Sequence, residues 1–378
     1  MGKKSIFLPS IFAAFLFLIF TVFRCFVPSI AALEQAEKPY KQIAESADFE
    51  QIDGIVDSYV SWYIGKRVAG ASVAILKDGK TILAKGYGFA DLDNQISATS
   101  DTIYEYGSIS KLFVWVAAMQ LYEDGKLDLH EDIRTYLPAG FQVSIKQNQE
   151  VTMLDLMNHT AGFDSGYRPD EPGSSLGDAV SRYDSFQCFE QGEVVAYSNY
   201  GANLAAFVIE EISGQTFSSY VQEHILDALG MQSFYSDFSK VGIENGVFPE
   251  DIGPLKAKGY ARESCVHEGD FQEVSWYNSG WLYASGALNG NAPDLLKFAN
   301  ALLDDSNHVL FKNPSTLQEM LSLSYIAKED DTLFSNYHGF GGSNGNFDGL
   351  GHAGNTYGFS TRLIINPSPN IASRCIDK

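Results

Sequence analysis

Ser108-Ile109-Ser110-Lys111 is the only Ser-x-x-Lys in the chain. In the first turn of a helix, residues three apart share a face, so this spacing sets a hydroxyl beside an amine. A lysine buried there loses its preference for charge, because desolvation lowers its pKa, and it can then take the serine proton. The same helix N-terminus offers free backbone N–H groups to a developing oxyanion. Chance alone provides roughly one such match in a chain of this length. Placement argues for use, because the residues after Lys111 are strongly apolar and an idle lysine is costly among them.

Two further runs have chemical potential. Tyr197-Ser198-Asn199 falls on a short loop before a helix. A phenol near a lysine can be driven toward phenolate and relay protons, and the neighbouring Asn can hold an amide carbonyl or the lysine. Taken alone, the run reads as a turn with an N-cap Asn. His352-Ala353-Gly354 follows a glycine-rich stretch. Gly354 would let a substrate backbone approach, and the N–H of Asn355 could complete an oxyanion hole. A lone loop histidine is otherwise structural or solvated.

Other matches fail on context. Gly341-Gly342-Ser343-Asn344-Gly345 fits the GxSxG elbow, which needs a strand before and a helix after, but it sits in an expected loop of Gly and Asn. Gly349 to Gly354 fits GxGxxG, yet no βαβ unit can follow in the 24 residues that remain. There is no P-loop and no HExxH, and the seven His show no metal-ligand spacing. Asn158-His159-Thr160 is a glycosylation sequon.

The elements that must position these residues follow from periodicity. Ala71–Leu76 and Thr81–Tyr87 alternate around Asp78-Gly79, a hairpin signal. Leu112, Trp115, Val116, Met119 and Tyr122 recur at helical spacing and predict a helix over Ser108–Glu123, stopped by Gly125. Thr152 and Asp155 form a candidate capping box for a short helix through Asn158. Further helices are expected over Asn203–Ile212, Phe217–Leu229, Pro293–Leu303 and Pro314–Leu323, and a strand over Tyr357–Ile365. Strands at both ends with helices between predict an α+β fold: an antiparallel sheet flanked by helices, with an inserted helical subdomain.

Composition bounds the rest. The 378 residues are 45% hydrophobic and 13% aromatic, which excludes a disordered acidic chain despite 47 acids against 26 bases. A net charge of -21 argues against nucleic acid as a partner and against a polybasic grip on anionic membranes. Lys3 and Lys4 precede an uncharged run from Ser5 to Phe23, and a small-residue stretch ends at Ala31-Ala32. This reads as an export signal over residues 1–31, cleaved after Ala31 or Ala32. The 19-residue run is also long enough to remain as an uncleaved anchor, the only membrane contact expected. Either way the body works outside the cytoplasm, and losing three positive charges takes it to -24. Cysteines at 25, 188, 265 and 375 show no CxxC spacing, and Cys188 could pair with Cys265. No linker or repeat divides the body, so one domain is expected from residue 45 to 378.

The ordered set Ser108-x-x-Lys111, Tyr197-Ser198-Asn199 and His352-x-Gly354, separated by 86 and 155 residues from Lys111 onward, resembles the three motifs of the class C β-lactamase and penicillin-binding serine hydrolase family. Leu154 to Gly162 is similar to its L-L-x-H-T-S-G segment, and Gly70–Lys80 to its opening hairpin. Tyr197 to Gly214 with Leu229-Gly230-Met231 resembles its Y-S-N to L-G-M run. The resemblance spans roughly residues 50 to 367. It implies Ser108 as acylated nucleophile, Lys111 as its base, Tyr197 as proton relay and Asn199 as a substrate or lysine contact. The N–H groups of Ser108 and Asn355 would form the oxyanion hole, with His352 and Gly354 lining the substrate site and no metal or cofactor needed. The partner implied is a small molecule or peptide: a peptidoglycan-type peptide, an ester or a β-lactam.

Two departures shape the expectation. Many dedicated β-lactamases carry Lys-Thr-Gly as third motif, with the Lys attracting a substrate carboxylate; His352 is mostly neutral at pH 7. A His-x-Gly motif is similar to the family's D-alanyl-D-alanine carboxypeptidases, esterases and D-amino-acid peptidases, so a peptidase or esterase ranks above a β-lactamase. The resemblance also implies a further strand and a C-terminal helix. Ala372–Lys378 do not read as an apolar strand, and the expectation is a domain truncated at its C-terminus, with a catalytically idle penicillin-binding or sensor protein as the alternative.

Overall fold

The computed structural model describes residues 51–143, 145–146, 148–164, 175–182, 186–235, 255–262, 270–274, 282–306, 308–326, 335–344 and 348–367. The expected export signal, Cys265 and the residues after Pro367 lie outside this set. In chain order the elements are α1 (Ile52–Tyr63), β1 (Gly70–Lys77), β2 (Lys80–Asp91), β3 (Ile96–Ser97), β4 (Tyr104–Glu105), α2 (Ser110–Glu123), α3 (Met153–Asn158), α4 (Leu176–Arg182), α5 (Asn199–Ser213) and α6 (Phe217–Val221). There follow β5 (Phe234–Tyr235), β6 (Gly259–Arg262), β7 (Phe271–Val274), β8 (Leu288–Gly290), α7 (Ala292–Leu303), α8 (Pro314–Met320), β9 (Tyr325–Ile326), β10 (Ser335–Tyr337), β11 (Phe340–Asn344), β12 (Asp348–Asn355) and β13 (Ser360–Ile365). This is the mixed architecture expected: every named strand pairs antiparallel, with helices between the N-terminal and C-terminal sheets.

The hairpin of β1 and β2 forms where Asp78-Gly79 predicts it. Both turn residues are left-handed, at φ 49° and 72°, as a two-residue turn between right-twisted strands requires. On their far sides β1 and β13 have no named strand partner among the described residues, and they line one cleft of about 1730 Å³. Leu295, Leu296 and Ala299 of α7 also line it, whereas Ser108 and Lys111 do not.

The central element is α2. Its spacing suggested one apolar stripe, yet the structure buries eleven of its fourteen residues, including Ser110 and Lys111. A helix apolar all round belongs in the core, and α2 is wrapped by α5, α6, α8 and the π-helical turn after α6. Phe113 stacks on Phe298 of α7 with ring centroids 4.3 Å apart. The carboxylate of Glu123, at the end of α2, accepts from Lys312 N and Asn313 N at 2.8 Å and from the Thr316 hydroxyl at 2.9 Å. It therefore caps α8, whose own N-cap side chain makes no capping bond.

Several expected boundaries move. The capping box of Thr152 and Asp155 forms, and α3 ends at His159 in the left-handed region. Helix α5 begins at Asn199 rather than Asn203, because Ser198 accepts from Gly201 N and caps it. The single helix expected over Phe217–Leu229 is interrupted: Gln222–Leu226 is a π-helical turn, closed by Asp227 N bonding to Gln222 O at 2.9 Å.

The largest correction concerns the glycine-rich stretch read as a loop, most of which forms β11 and β12. The GxSxG match therefore lies mainly in a strand, without the strand-to-helix turn an elbow needs. Its neighbour strand needs glycine for close backbone approach: a Cβ at Gly351 would sit 2.0 Å from Leu363 O. The sequon is also closed to modification in the folded protein, since Asn158 is buried and its Oδ1 accepts from Ser324 Oγ at 2.7 Å. Cys188 is an exposed free thiol. Among the described residues no helix is long and apolar enough to cross a membrane.

Candidate active site

Ser108 occupies a 3-10 turn, Gly107–Ile109, that runs straight into α2. Gly107 is left-handed at φ 53°, which turns the chain sharply so that Ser108 enters the helix half-buried while Lys111 goes inside. Ser110 fastens this turn: its hydroxyl donates to Gly107 O at 2.7 Å and accepts from Leu288 N at 3.1 Å.

Lys111 Nζ has three polar neighbours. They are Ser108 Oγ at 3.0 Å, Asn199 Oδ1 at 2.7 Å and Ser285 O at 2.8 Å. A neutral amine has two N–H donors and one lone pair. Asn199 and Ser285 offer only acceptor atoms and so take the two donors, which leaves the lone pair facing the Ser108 hydroxyl. Burial pushes the lysine well below its ordinary pKa, with no carboxylate at hydrogen-bonding distance to oppose it. The arrangement can thus draw a proton from Ser108.

Tyr197 stands over this pair, its ring centroid 4.9 Å from Lys111 Nζ and its side chain exposed. On one flank is His159, 4.5 Å between ring centroids, and on the other His352, at 6.1 Å. Desolvation, with Lys111 nearby, lowers His352 to about 4 and so keeps it neutral at pH 7, further from charge than its ordinary value suggested. Its Nδ1 lies 2.6 Å from Ala353 O.

The end of β12 packs directly on the turn that carries Ser108. A Cβ at Gly107 would meet Asn355 N at 2.8 Å, and one at Gly354 would lie 1.9 Å from Tyr106 O. The Thr361 hydroxyl of β13 ties the two together, 2.7 Å from Tyr106 O and 3.3 Å from Gly354 O. Asn355 N–H therefore lies beside the residue preceding Ser108, where a second backbone donor can face an oxyanion.

All seven residues singled out from sequence, Ser108, Lys111, Tyr197, Asn199, His352, Gly354 and Asn355, thus gather around the turn that opens α2. Sequence reasoning missed four that hold them. Asn203 donates to Asn199 O at 2.8 Å and to Ser285 Oγ at 3.0 Å, holding both residues whose other oxygens face Lys111. Its signal was readable, as a polar side chain one turn after Asn199 on an otherwise apolar helix. Ser285 contributes a carbonyl, which no residue type encodes. Thr361 and His159 were also passed over, the latter although its segment had been quoted. Among the described residues no group of three or more His, Cys, Asp and Glu could hold a metal.

Comparison with known proteins places this geometry. A family model described as Beta-lactamase matches residues 52–373. Protein flp of Staphylococcus aureus (strain MW2) is 29% identical over 188 residues, 48% of this chain and 37% of that protein. The putative penicillin-binding protein PbpX of Bacillus subtilis (strain 168) is 26% identical over 281 residues, 73% of this chain and 66% of its own. The chain thus spans less than two thirds of the length of these curated relatives. Among solved structures, the octameric penicillin-binding protein homologue from Pyrococcus abyssi matches at a TM-score of 0.65 and 22% identity, over 85% of this chain and 74% of that one. FmtA from Staphylococcus aureus matches at 0.65 and 21%, over 85% and 82%. At these identities the two structures speak for the fold.

Proposed function

Because this chain belongs to the Beta-lactamase family, we propose that it is an extracytoplasmic serine acyl-hydrolase, D-alanyl-D-alanine carboxypeptidase-like or esterase-like, acting through Ser108 and Lys111. The observation that carries the reading is the three-point setting of Lys111 Nζ, 3.0 Å from Ser108 Oγ, which in the neutral amine turns its lone pair to the Ser108 hydroxyl. In this reaction Ser108 Oγ attacks the acyl carbon as its proton passes to Lys111, and the carbonyl oxygen becomes an oxyanion between the N–H groups of Ser108 and Asn355. Collapse breaks the bond to the amine or alcohol, which leaves with a proton relayed from Lys111 by way of Tyr197. Water then attacks the ester on Ser108, giving its proton back through the same residues and releasing the acid with Ser108 restored.

Substrate preference follows from His352. A neutral imidazole offers no Coulomb attraction to a carboxylate, so neutral esters and amides fit at least as well as the carboxylated β-lactams that a lysine would favour. The test is incubation of wild type and Ser108→Ala with a fluorescent penicillin and with p-nitrophenyl acetate, read by intact mass and absorbance. A covalent adduct on Ser108, or ester turnover that Ser108→Ala abolishes, supports the reading. Folded wild type with neither adduct nor turnover overturns it in favour of an idle binding protein.

A further inference from the structure

Tyr197 is an exposed member of the site, and its backbone is held on either side by one residue. Ala196 N donates to His159 O at 2.8 Å, and Ser198 N donates to His159 Nδ1 at 3.3 Å. The N–H groups of the residues before and after Tyr197 therefore end on the same histidine, one on its carbonyl and one on its ring, and that ring also packs 4.5 Å from the phenol ring. His159 is itself rigid. It is 6% exposed, closes α3 in the left-handed region at φ 57°, and lies edge-on to Trp115 of α2 at 6.1 Å. Trp115 stands one turn after Lys111, so His159 links the helix bearing the lysine to the loop bearing the phenol.

From this geometry we propose that His159 is a positioning residue: its neutral imidazole holds Ser198 N–H, its backbone carbonyl holds Ala196 N–H, and its ring packs on the phenol, so that Tyr197 is set over Lys111. The inference rests on the reading of Tyr197 as the proton relay. The hydrogen bond dictates the tautomer. Nδ1 accepts from Ser198 N–H, so the ring proton is on Nε2, and a proton added to Nδ1 would face another N–H. Burial, with Lys111 and His352 nearby, agrees, holding the ring at about 3. Asn can replace this function in part, because its Oδ1 accepts and it tolerates the left-handed region, whereas Ala does neither.

The experiment compares wild type, His159→Ala and His159→Asn by p-nitrophenyl acetate kinetics and by amide hydrogen exchange at Ala196 and Ser198. A phenol displaced by about 1 Å costs on the order of 10²-fold in rate. His159→Ala is expected to lower kcat by about 10- to 100-fold with KM within about 3-fold, and to speed exchange at Ser198, whose N–H loses its acceptor, more than at Ala196, whose acceptor is a backbone carbonyl. His159→Asn is expected to recover most of kcat and the protection at Ser198. Equal kcat in wild type and His159→Ala, equal loss in both variants, or unchanged exchange would overturn the proposal. Should wild type neither acylate nor turn over, the hydrolase reading fails, and the exchange measurement still decides the clamp. Where His159→Ala does not fold, ring ¹⁵N shifts of wild-type His159 serve: Nδ1 unprotonated and accepting from pH 8 to 5 supports the clamp, and a titrating Nδ1 refutes it.

Discussion

Replacing Lys111 by Met tests whether the buried amine is neutral in the folded protein. The substitution keeps most of the stem volume and removes the titrating group. Some of its effect on stability, from lost contacts at Asn199 Oδ1 and Ser285 O, is independent of pH. The informative part is the slope. In the unfolded chain Lys111 keeps its proton up to about pH 10.4, whereas burial lowers its pKa in the folded state. Between the folded and unfolded values the unfolded state binds one more proton, so wild-type stability rises with pH by about 1.4 kcal/mol per unit. The penalty is greatest below the folded value and vanishes as pH approaches the unfolded one. His159 and His352, lowered to about 3 and 4 in the folded state, add a slope of the same sign until their unfolded value near 6.5 is passed, but both proteins carry them and the difference cancels it. Urea unfolding of both proteins at half-unit steps from pH 6 to 10, followed by tryptophan fluorescence, gives the difference directly. Over any two units inside the interval, wild type should gain about 2.7 kcal/mol relative to Lys111→Met, near 100-fold in the folding constant. A difference that stays flat below pH 10 would mean that folded Lys111 remains charged, and the general-base argument would fall with it.

Three other outcomes follow from single contacts. Asn203→Ala frees Ser285 and the Asn199 backbone, and should cost about 1–3 kcal/mol in urea melts and lower kcat/KM about 10-fold or more; a stable variant with unchanged kinetics would remove Asn203 from the lysine's support. Gly354→Ala drives a Cβ to 1.9 Å from Tyr106 O, displacing the end of β12 beside Ser108, and should reduce ester turnover on the order of 10²-fold, while wild-type rates would show that Asn355 N–H is not needed there. Glu123→Ala uncaps α8 and should destabilise by about 1–3 kcal/mol at pH 7. Burial alone would raise this carboxyl, but the bonds from Lys312, Asn313 and Thr316 outweigh it and lower the pKa. The stability it contributes is thus present above the unfolded value and lost as pH falls through the folded one, which acid titration of the two proteins would detect.

What was legible in the sequence divides along physical lines. Residues that act through their own side chains, such as Ser108, Lys111 and Asn199, declare themselves by type and spacing, because a helix converts a three-residue offset into contact. Periodicity likewise marked α2, although it showed one stripe where burial is complete. Groups that act through the backbone were invisible: Ser285 contributes a carbonyl, and nothing in its type signals that. Strand β12 was misread for a related reason. Its glycines suggest a flexible loop, yet Gly351 and Gly354 are there because Leu363 O and Tyr106 O come too close for any Cβ. Start positions failed where a cap competed with a pattern, as when Ser198 opened α5 one turn before the apolar periodicity began.

The electrostatics of the cleft form a single argument. Lys111 lowers the pKa of both His159 and His352, and the coupling is reciprocal, so a proton on either histidine would further discourage one on the lysine. At neutral pH the two histidines are uncharged, and burial drives Lys111 in the same direction. On the proposed mechanism, proton transfer from Ser108 creates two charges at once, an ammonium at Lys111 and an oxyanion near Ser108 and Asn355. Opposite charges appearing a few ångströms apart away from bulk water attract strongly, whereas a resting ammonium would already have been solvated or paired. A lysine at position 352 would put a cation on the cleft wall beforehand, attracting carboxylated substrates but competing with Lys111 for the oxyanion's field. The histidine thus trades affinity for a charged substrate against a site whose charge separation is confined to the chemical step.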